Sequence, residues 1–280
     1  MKLKITHTTT YAFNSEVFLE PHYLRFRPRQ TAYVDINEFS ISIVPEPSGH
    51  KIIQDEENNV VDFCWFDGVT SNLSITVESI LETKPFNPFD FILEPQSYNQ
   101  IPFEYDESKK KLLFPYLDGL PIAQELIDYG TAIIEKAEFN TIHFLTQLTN
   151  QLHKDFTVEY REDGAPFLPE HTFEIKRGSC RDLSWMLINL LRQQGIAARF
   201  VSGYYYFDMI VPAFELHAWV DVFLPGIGWL GLDPSHGILT GNTHFPIATS
   251  SHYENTMPVS GGIRGSASSK LITELQIEKI

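Results

Sequence analysis

Between Lys2 and Thr83, apolar residues recur at every second position in short runs, and turn residues break the runs apart. Leu3, Ile5, Tyr11 and Phe13 alternate with threonines, and Phe39, Ile41 and Ile43 alternate within Glu38 to Val44. Leu73, Ile75, Val77 and Leu81 carry the same period further on. Val60 to Phe66 is a near-continuous apolar run containing Cys64, preceded by the polar cluster Asp55 to Asn59 and followed by Asp67-Gly68. A period of two puts one face of each segment in a core and the other outside, which is strand chemistry and incompatible with helices. Several such strands in series predict an all-β sandwich.

The pattern changes after Thr83. Pro85, Pro88, Pro95 and Pro102 deny regular structure to a stretch dense in aromatic residues, which predicts a strap bound across a surface. Helical spacing then takes over: one segment opens at Pro121 and runs to about Ala137, and a second spans Thr141 to His153. Cys180 to Gln194 places Leu183, Met186, Leu187, Leu190 and Leu191 on one broad face, with Gly195 as a C-terminal stop. Ala197 to Phe207, His217 to Leu224 and Gly228 to Leu232 are β-like, and the last eleven residues alternate weakly as a further strand. Helices followed by antiparallel strands describe an α+β unit. The expected organisation is an N-terminal β-sandwich with its Pro-rich linker over residues 1–110 and an α+β domain over 111–280.

Composition narrows the partners. Of 280 residues, 43% are hydrophobic and 20% charged, enough for a real core and too little charge for disorder. The net charge of −15 repels phosphate backbones and anionic lipid, so neither nucleic acid nor membrane is an expected partner. Two cysteines exclude a disulfide scaffold and a four-thiolate zinc ribbon. Neither a signal peptide nor a run of 18 apolar residues is evident, and a cytoplasmic location with reduced thiols is the expectation.

Cys180 follows Arg177-Gly178-Ser179 at the start of the predicted long helix. A helix N-terminus offers unpaired N–H groups and partial positive charge, which stabilise a thiolate and an oxyanion formed by its attack on a carbonyl. A nucleophile of this kind needs a base, and the base an orienting acceptor. His217 and Asp233 lie on successive strands around a Pro225–Ile227 turn, close to equidistant from it, so that Asp233 can accept from one imidazole nitrogen while the other faces the thiol. Cys180, His217 and Asp233 are therefore the candidate triad, in the chain order of papain-like thiol enzymes.

The stretches GSCRDLSWMLINLLRQQGIAARFVSGYYYF and ELHAWVDVFLPGIGWLGLDPSHGILTGNTHFPIA resemble the core of the bacterial transglutaminase-like superfamily. Its four elements stand here in order: Gly-x-Cys-x-Asp, Gly-Ile-x-Ala-Arg-x-Val-x-Gly-Tyr, His-Ala-Trp and Gly-Trp…Asp-Pro. The first half is similar to the all-β domain that commonly precedes that core. The resemblance implies a nucleophile at Cys180, a base at His217 and an orienting acid at Asp233, with peptide or protein amides as substrates. Ser235 stands where the family usually has Thr after Asp-Pro, a departure that leaves the three residues in place. The implied chemistry is thiol-dependent acyl transfer through a thioester, resolved by an amine in a transglutaminase or by water in a peptidase or amidase; it needs no cofactor and no catalytic metal.

Blander roles fit the remaining candidates. Cys64 is expected to be a buried apolar residue. Asp182 suits helix capping better than catalysis. Metal binding by Cys180, His217 and Asp233 with His236 is disfavoured, because the first three are far apart in sequence. Trp219 and Trp229 default to packing, with shielding of the triad as a second role. Of Tyr204, Tyr205 and Tyr206, at least one should face solvent or the cleft. Arg199 is expected to be ion-paired, and Lys109 to Lys111 to form a solvated turn. His7, His22, His50, His143, His153, His171, His244 and His252 carry no pattern. The rival to an enzyme is a silent fold that serves as a protein-binding scaffold. The oligomeric state is not encoded in any of these features.

Overall fold

The computed structural model describes residues 1–161, 164–210 and 213–280. The elements, in order, are β1 (Lys2–Leu24), β2 (Val34–Val44), β3 (Gly49–Gln54), β4 (Val60–Trp65), β5 (Thr70–Thr83), α1 (Glu107–Leu117), α2 (Gln124–Lys136), α3 (Thr141–Asp155), β6 (Thr157–Val158), α4 (Pro169–Ile175), β7 (Arg177–Gly178), α5 (Cys180–Gln193), β8 (Ala198–Phe207), β9 (Ala213–Leu224), β10 (Gly228–Asp233), β11 (Ile238–Leu239), β12 (His244–Ser250), β13 (Val259–Arg264) and β14 (Ser269–Lys279). The fold is mixed α+β, sheet-rich at its N-terminal end.

One strand organises that end. β1 is 23 residues long and belongs to both arms of a seven-stranded assembly. Its first half pairs with β5 on one side and β14 on the other, and its second half with β4 and β13. The arms close on one apolar core that includes Val17, Leu19, Leu24, Cys64, Leu73, Ile75 and Val77. Leu73, Ile75 and Val77 are among the residues whose alternation marked the strands, because successive side chains of a strand point to opposite faces. Residues 259–279 return to complete this sheet, so strand pairing does not divide the chain at residue 110: the N-terminal sheet takes its β13 and β14 from the far end of the sequence.

The rest of the chain builds an antiparallel sheet in the order β11-β10-β9-β8-β12, with α5 packed on β8 and β9. Residues 182–192 of α5 are all buried. The apolar face predicted from spacing meets the sheet, and α2, α3 and the strap segment cover the remainder. The strap is bound, as its aromatics suggested: Tyr98, Ile101 and Tyr105 are buried, and the Tyr105 hydroxyl donates to Phe223 O at 2.7 Å while accepting from Ala197 N at 3.1 Å. It braces the turn end of the β9–β10 hairpin, where Glu94 N donates to Pro225 O at 3.2 Å. Lys109 to Lys111 are not a turn but lie in α1, whose N-cap Asp106 accepts from Lys109 N at 2.9 Å. Charged residues and an internal Pro115 hid this helix from a search based on apolar period.

Apolar and polar contacts both join the β and α+β parts. Leu3, Ile5, Leu81 and Ile277 share a buried cluster with Tyr204, Tyr206, Phe245 and Ile247. The polar turn Asp55–Asn59 docks as well: Asn59 bonds both the N–H and the C=O of Thr249, and Glu57 accepts from Ser250, Ser251 and Tyr116. No helix among the described residues is long and apolar enough to cross a membrane. Ile277 is 3% exposed in that shared cluster. Ile277→Ala should therefore cost about 2–4 kcal/mol in urea unfolding. A loss below about 0.5 kcal/mol, the usual surface value, would show that β14 is an appendage and not part of the core.

Candidate active site

The site forms where the start of α5 meets β9 and the end of β10. Cys180 opens α5 and is partly exposed, whereas Cys64 is fully buried, with burial and the nearby Asp62 pushing its thiol up to about 12. Asp182 folds back over the helix start. Its Oδ2 accepts from Ser179 N and Ser179 Oγ, both at 2.7 Å. Its Oδ1 accepts from Phe167 N and the Arg161 guanidinium, also at 2.7 Å. Gly178 makes this possible, since a Cβ there would strike the Asp182 side chain. Asp182 thus caps the helix, as expected, and in addition ties Arg161 and Phe167 to the helix start.

His217 is 2% exposed on β9, and Asp233, at the end of β10, is fully buried. Nε2 of His217 lies 2.9 Å from Oδ2 of Asp233. The pair is diagonal and not directly opposite: the register matches Leu232 with Val220, which sets Asp233 beside the level of Trp219. The hairpin is centred one residue beyond the position that symmetry about Pro225 suggested, yet a two-residue offset keeps both side chains on one face. Trp219 lies over Gly203, whose missing side chain leaves room for the indole, and its ring stacks at 6.3 Å from His217. Trp229 is elsewhere, against Arg199, which pairs with Asp221 at 2.9 Å.

Electrostatics fix the charge of this pair. Burial works against the His217 imidazolium, but the charge and hydrogen bond of Asp233, with smaller help from Cys180 and Glu215, raise its pKa well above the ordinary histidine value. Burial likewise opposes the Asp233 carboxylate, and His217, His236 and His244 overcome it, lowering its pKa well below the usual range. Cys180 is a hydrogen-bonding neighbour of the same imidazole. The three residues singled out in the sequence are brought together.

Three further residues join the site: Glu215, which the sequence does not single out, His244, which carries no pattern there, and His236, which enters there only as a disfavoured metal ligand. His236 Nδ1 lies 2.7 Å, and the fully buried His244 Nε2 3.1 Å, from the same Asp233 Oδ2. Glu215 Oε1 lies 3.0 Å from His217 Nδ1 and 3.8 Å from His236 Nε2. Two of these had a usable signal: Glu215 precedes His217 by two on one strand, hence on one face, and His236 follows Asp233 by three across a turn. The three tyrosines split by the same period. Tyr204 and Tyr206 enter the shared cluster, and Tyr205 stacks on His236 at 4.2 Å. Although all three are buried, Tyr205 borders the cleft with Phe214, Glu215 and His236. A metal could find donors in Glu215, His217 and His236, which the sequence distances did not reveal.

The profile described as the bacterial transglutaminase-like N-terminal region matches residues 3–82, and that of the transglutaminase-like superfamily matches 128–234. A solved structure from Cytophaga hutchinsonii, described as a candidate cysteine protease, shares the fold with a TM-score of 0.70 and 19% identity, covering 100% of this chain and 91% of that one. An uncharacterised Mycobacterium tuberculosis protein is 23% identical over 97% of this chain and 90% of its own length. A Pseudomonas aeruginosa protein-glutamine gamma-glutamyltransferase is 30% identical over 90 residues, which is 30% of this chain and 14% of that protein.

A pH dependence follows from the buried pair. Asp233, with a lowered pKa, contributes stability that is complete above about pH 4, the unfolded value, and is lost as acid approaches its folded value. His217, with a raised pKa, contributes stability that is complete below about pH 6.5 and is lost as pH rises through its folded value. The melting-temperature gap between wild type and Asp233→Asn should therefore be widest between about pH 4 and 6.5, reflecting about 3–5 kcal/mol for breaking a buried pair, and should narrow on both sides. Calorimetry that found the gap independent of pH would refute the assignment.

Proposed function

As a member of the transglutaminase-like superfamily, the chain is, we propose, a thiol-dependent acyl-transfer enzyme acting on peptide or protein amides through Cys180, His217 and Asp233. The observation that carries this reading is the His217 imidazole, held by a buried carboxylate at 2.9 Å and adjacent to a partly exposed thiol at a helix start. A 2% exposed imidazole whose pKa a buried carboxylate raises, set beside a partly exposed sulfur, is the arrangement that a general base for a thiol requires.

The chemistry runs in two halves. The Cys180 thiolate adds to the amide carbonyl carbon, and the oxyanion that results faces the first-turn N–H groups of α5. The C–N bond breaks as His217 gives its proton to the departing amine or ammonia, leaving a thioester on Cys180. An incoming amine or water then attacks the thioester, His217 takes its proton, and the sulfur leaves as thiolate. Asp233 holds the ring orientation and balances the imidazolium throughout. His236 and His244, bonded to the same Asp233 oxygen, position that carboxylate.

The half of the chemistry that names the enzyme is set by the second nucleophile. A glutamine-containing peptide, incubated with and without a primary amine, reads it directly: amine-dependent product marks a transferase, and ammonia release unaffected by amine marks a hydrolase. Cys180→Ala should abolish either activity, while iodoacetamide should label Cys180 in the native protein and Cys64 only after unfolding. Equal, slow labelling of both cysteines, with no turnover on a peptide library, would leave the fold as a binding scaffold.

A further inference from the structure

The Asp233 carboxylate does more than orient one imidazole. It takes the Nε2 hydrogen of His217 and the Nδ1 hydrogen of His236, leaving His217 Nδ1 and His236 Nε2 to converge on Glu215 Oε1 at 3.0 and 3.8 Å. The donor atoms of Glu215, His217 and His236 all lie within 4.8 Å of one another. Four-coordinate zinc, with bonds of about 2.0–2.1 Å to nitrogen or oxygen, separates neighbouring donors by about 3.3 Å, a value bracketed by the two distances here. A carboxylate behind each ligating imidazole is the usual outer support of such a metal, because it fixes ring orientation and makes the ligand more basic.

His217 Nδ1 is buried and lies between the Cys180 thiol and the Glu215 carboxylate, 3.0 Å from the latter. Tyr205 holds the His236 plane from beneath, its ring stacked at 4.2 Å and tilted by 22°. In the neighbouring trio His217, Asp233 and His244, the 2.9 and 3.1 Å separations are hydrogen bonds to the Asp233 carboxylate.

We propose that Glu215, His217 and His236 form a site for a zinc-class divalent transition metal, which on binding withdraws the His217 imidazole from Cys180 and silences the thiol reversibly. Two imidazoles and one carboxylate favour zinc over calcium or magnesium, which prefer oxygen donors. Glu215 and His236 line a cleft with Tyr205 and Phe214, and the Cys180 thiol neighbours the His217 ring. The site sits on the residues of the proposed chemistry, but metal binding can be read without turnover, so the two ideas fail separately.

The test is isothermal titration of zinc chloride into the purified full chain, paired with iodoacetamide labelling of Cys180 at saturating zinc. Wild type should take one equivalent and its Cys180 labelling should slow. Glu215→Gln and His236→Gln should each bind at least about tenfold more weakly. The Glu215 side chain is 44% exposed, so that variant keeps the fold. The proposal is overturned if wild type takes up no zinc, if Glu215→Gln and His236→Gln retain wild-type affinity, or if bound zinc leaves Cys180 labelling unchanged.

Discussion

A single carboxylate with no exposure, Asp233, gathers three imidazoles and two backbone amides, and the site takes its shape from that gathering. Unpaired, such a group would be costly to bury, by several kcal/mol. Each partner instead comes from a different place: His217 from β9, His236 from the turn that follows Asp233, and His244 from the start of β12. The carboxylate thereby ties the last strands of the α+β sheet to one another at the point where the thiol needs a base. Removing it would not merely disorient one ring, since it would release three.

What could be foreseen from the chain and what could not differ in physical kind. Cys180, His217 and Asp233 were legible because each sits at a place that local pattern marks: a helix start, a strand face, a strand end. Leu3, Ile5, Leu73 and Ile75 were legible for the same reason, their alternation being a local consequence of the pleat. His244 was not, since its role depends on β12 pairing with β8 and not on any neighbour in sequence. The diagonal offset of Asp233 depends on a one-residue change in the hairpin, which no periodicity reports. α1 escaped because its helix is set by the Asp106 cap and not by an apolar stripe.

The β and α+β parts are not beads on a string. Polar side chains of the Asp55–Asn59 turn serve as surrogate backbone for Thr249 and Ser251 in the other part, and apolar residues of β1, β5 and β14 share a core with β8 and β12. A turn that is polar in sequence is therefore no sign of exposure: Asn59 is fully buried with its amide satisfied on both sides. Tyr204 and Tyr206 reach into this shared core while Tyr205, between them, borders the cleft, so that one strand carries the join and the site on opposite faces.

The returning strands have a consequence for how the molecule is made. β1 precedes the α+β unit in the chain, yet β13 and β14, which flank it, follow that unit. Until the residues between Leu24 and Val259 have been made, its backbone N–H and C=O groups on that side have no native mate, an open edge of the kind that invites pairing with other chains. Hydrogen-bond closure of β1 thus waits on strands made after the α+β unit, and the nascent β layer must be shielded while it waits.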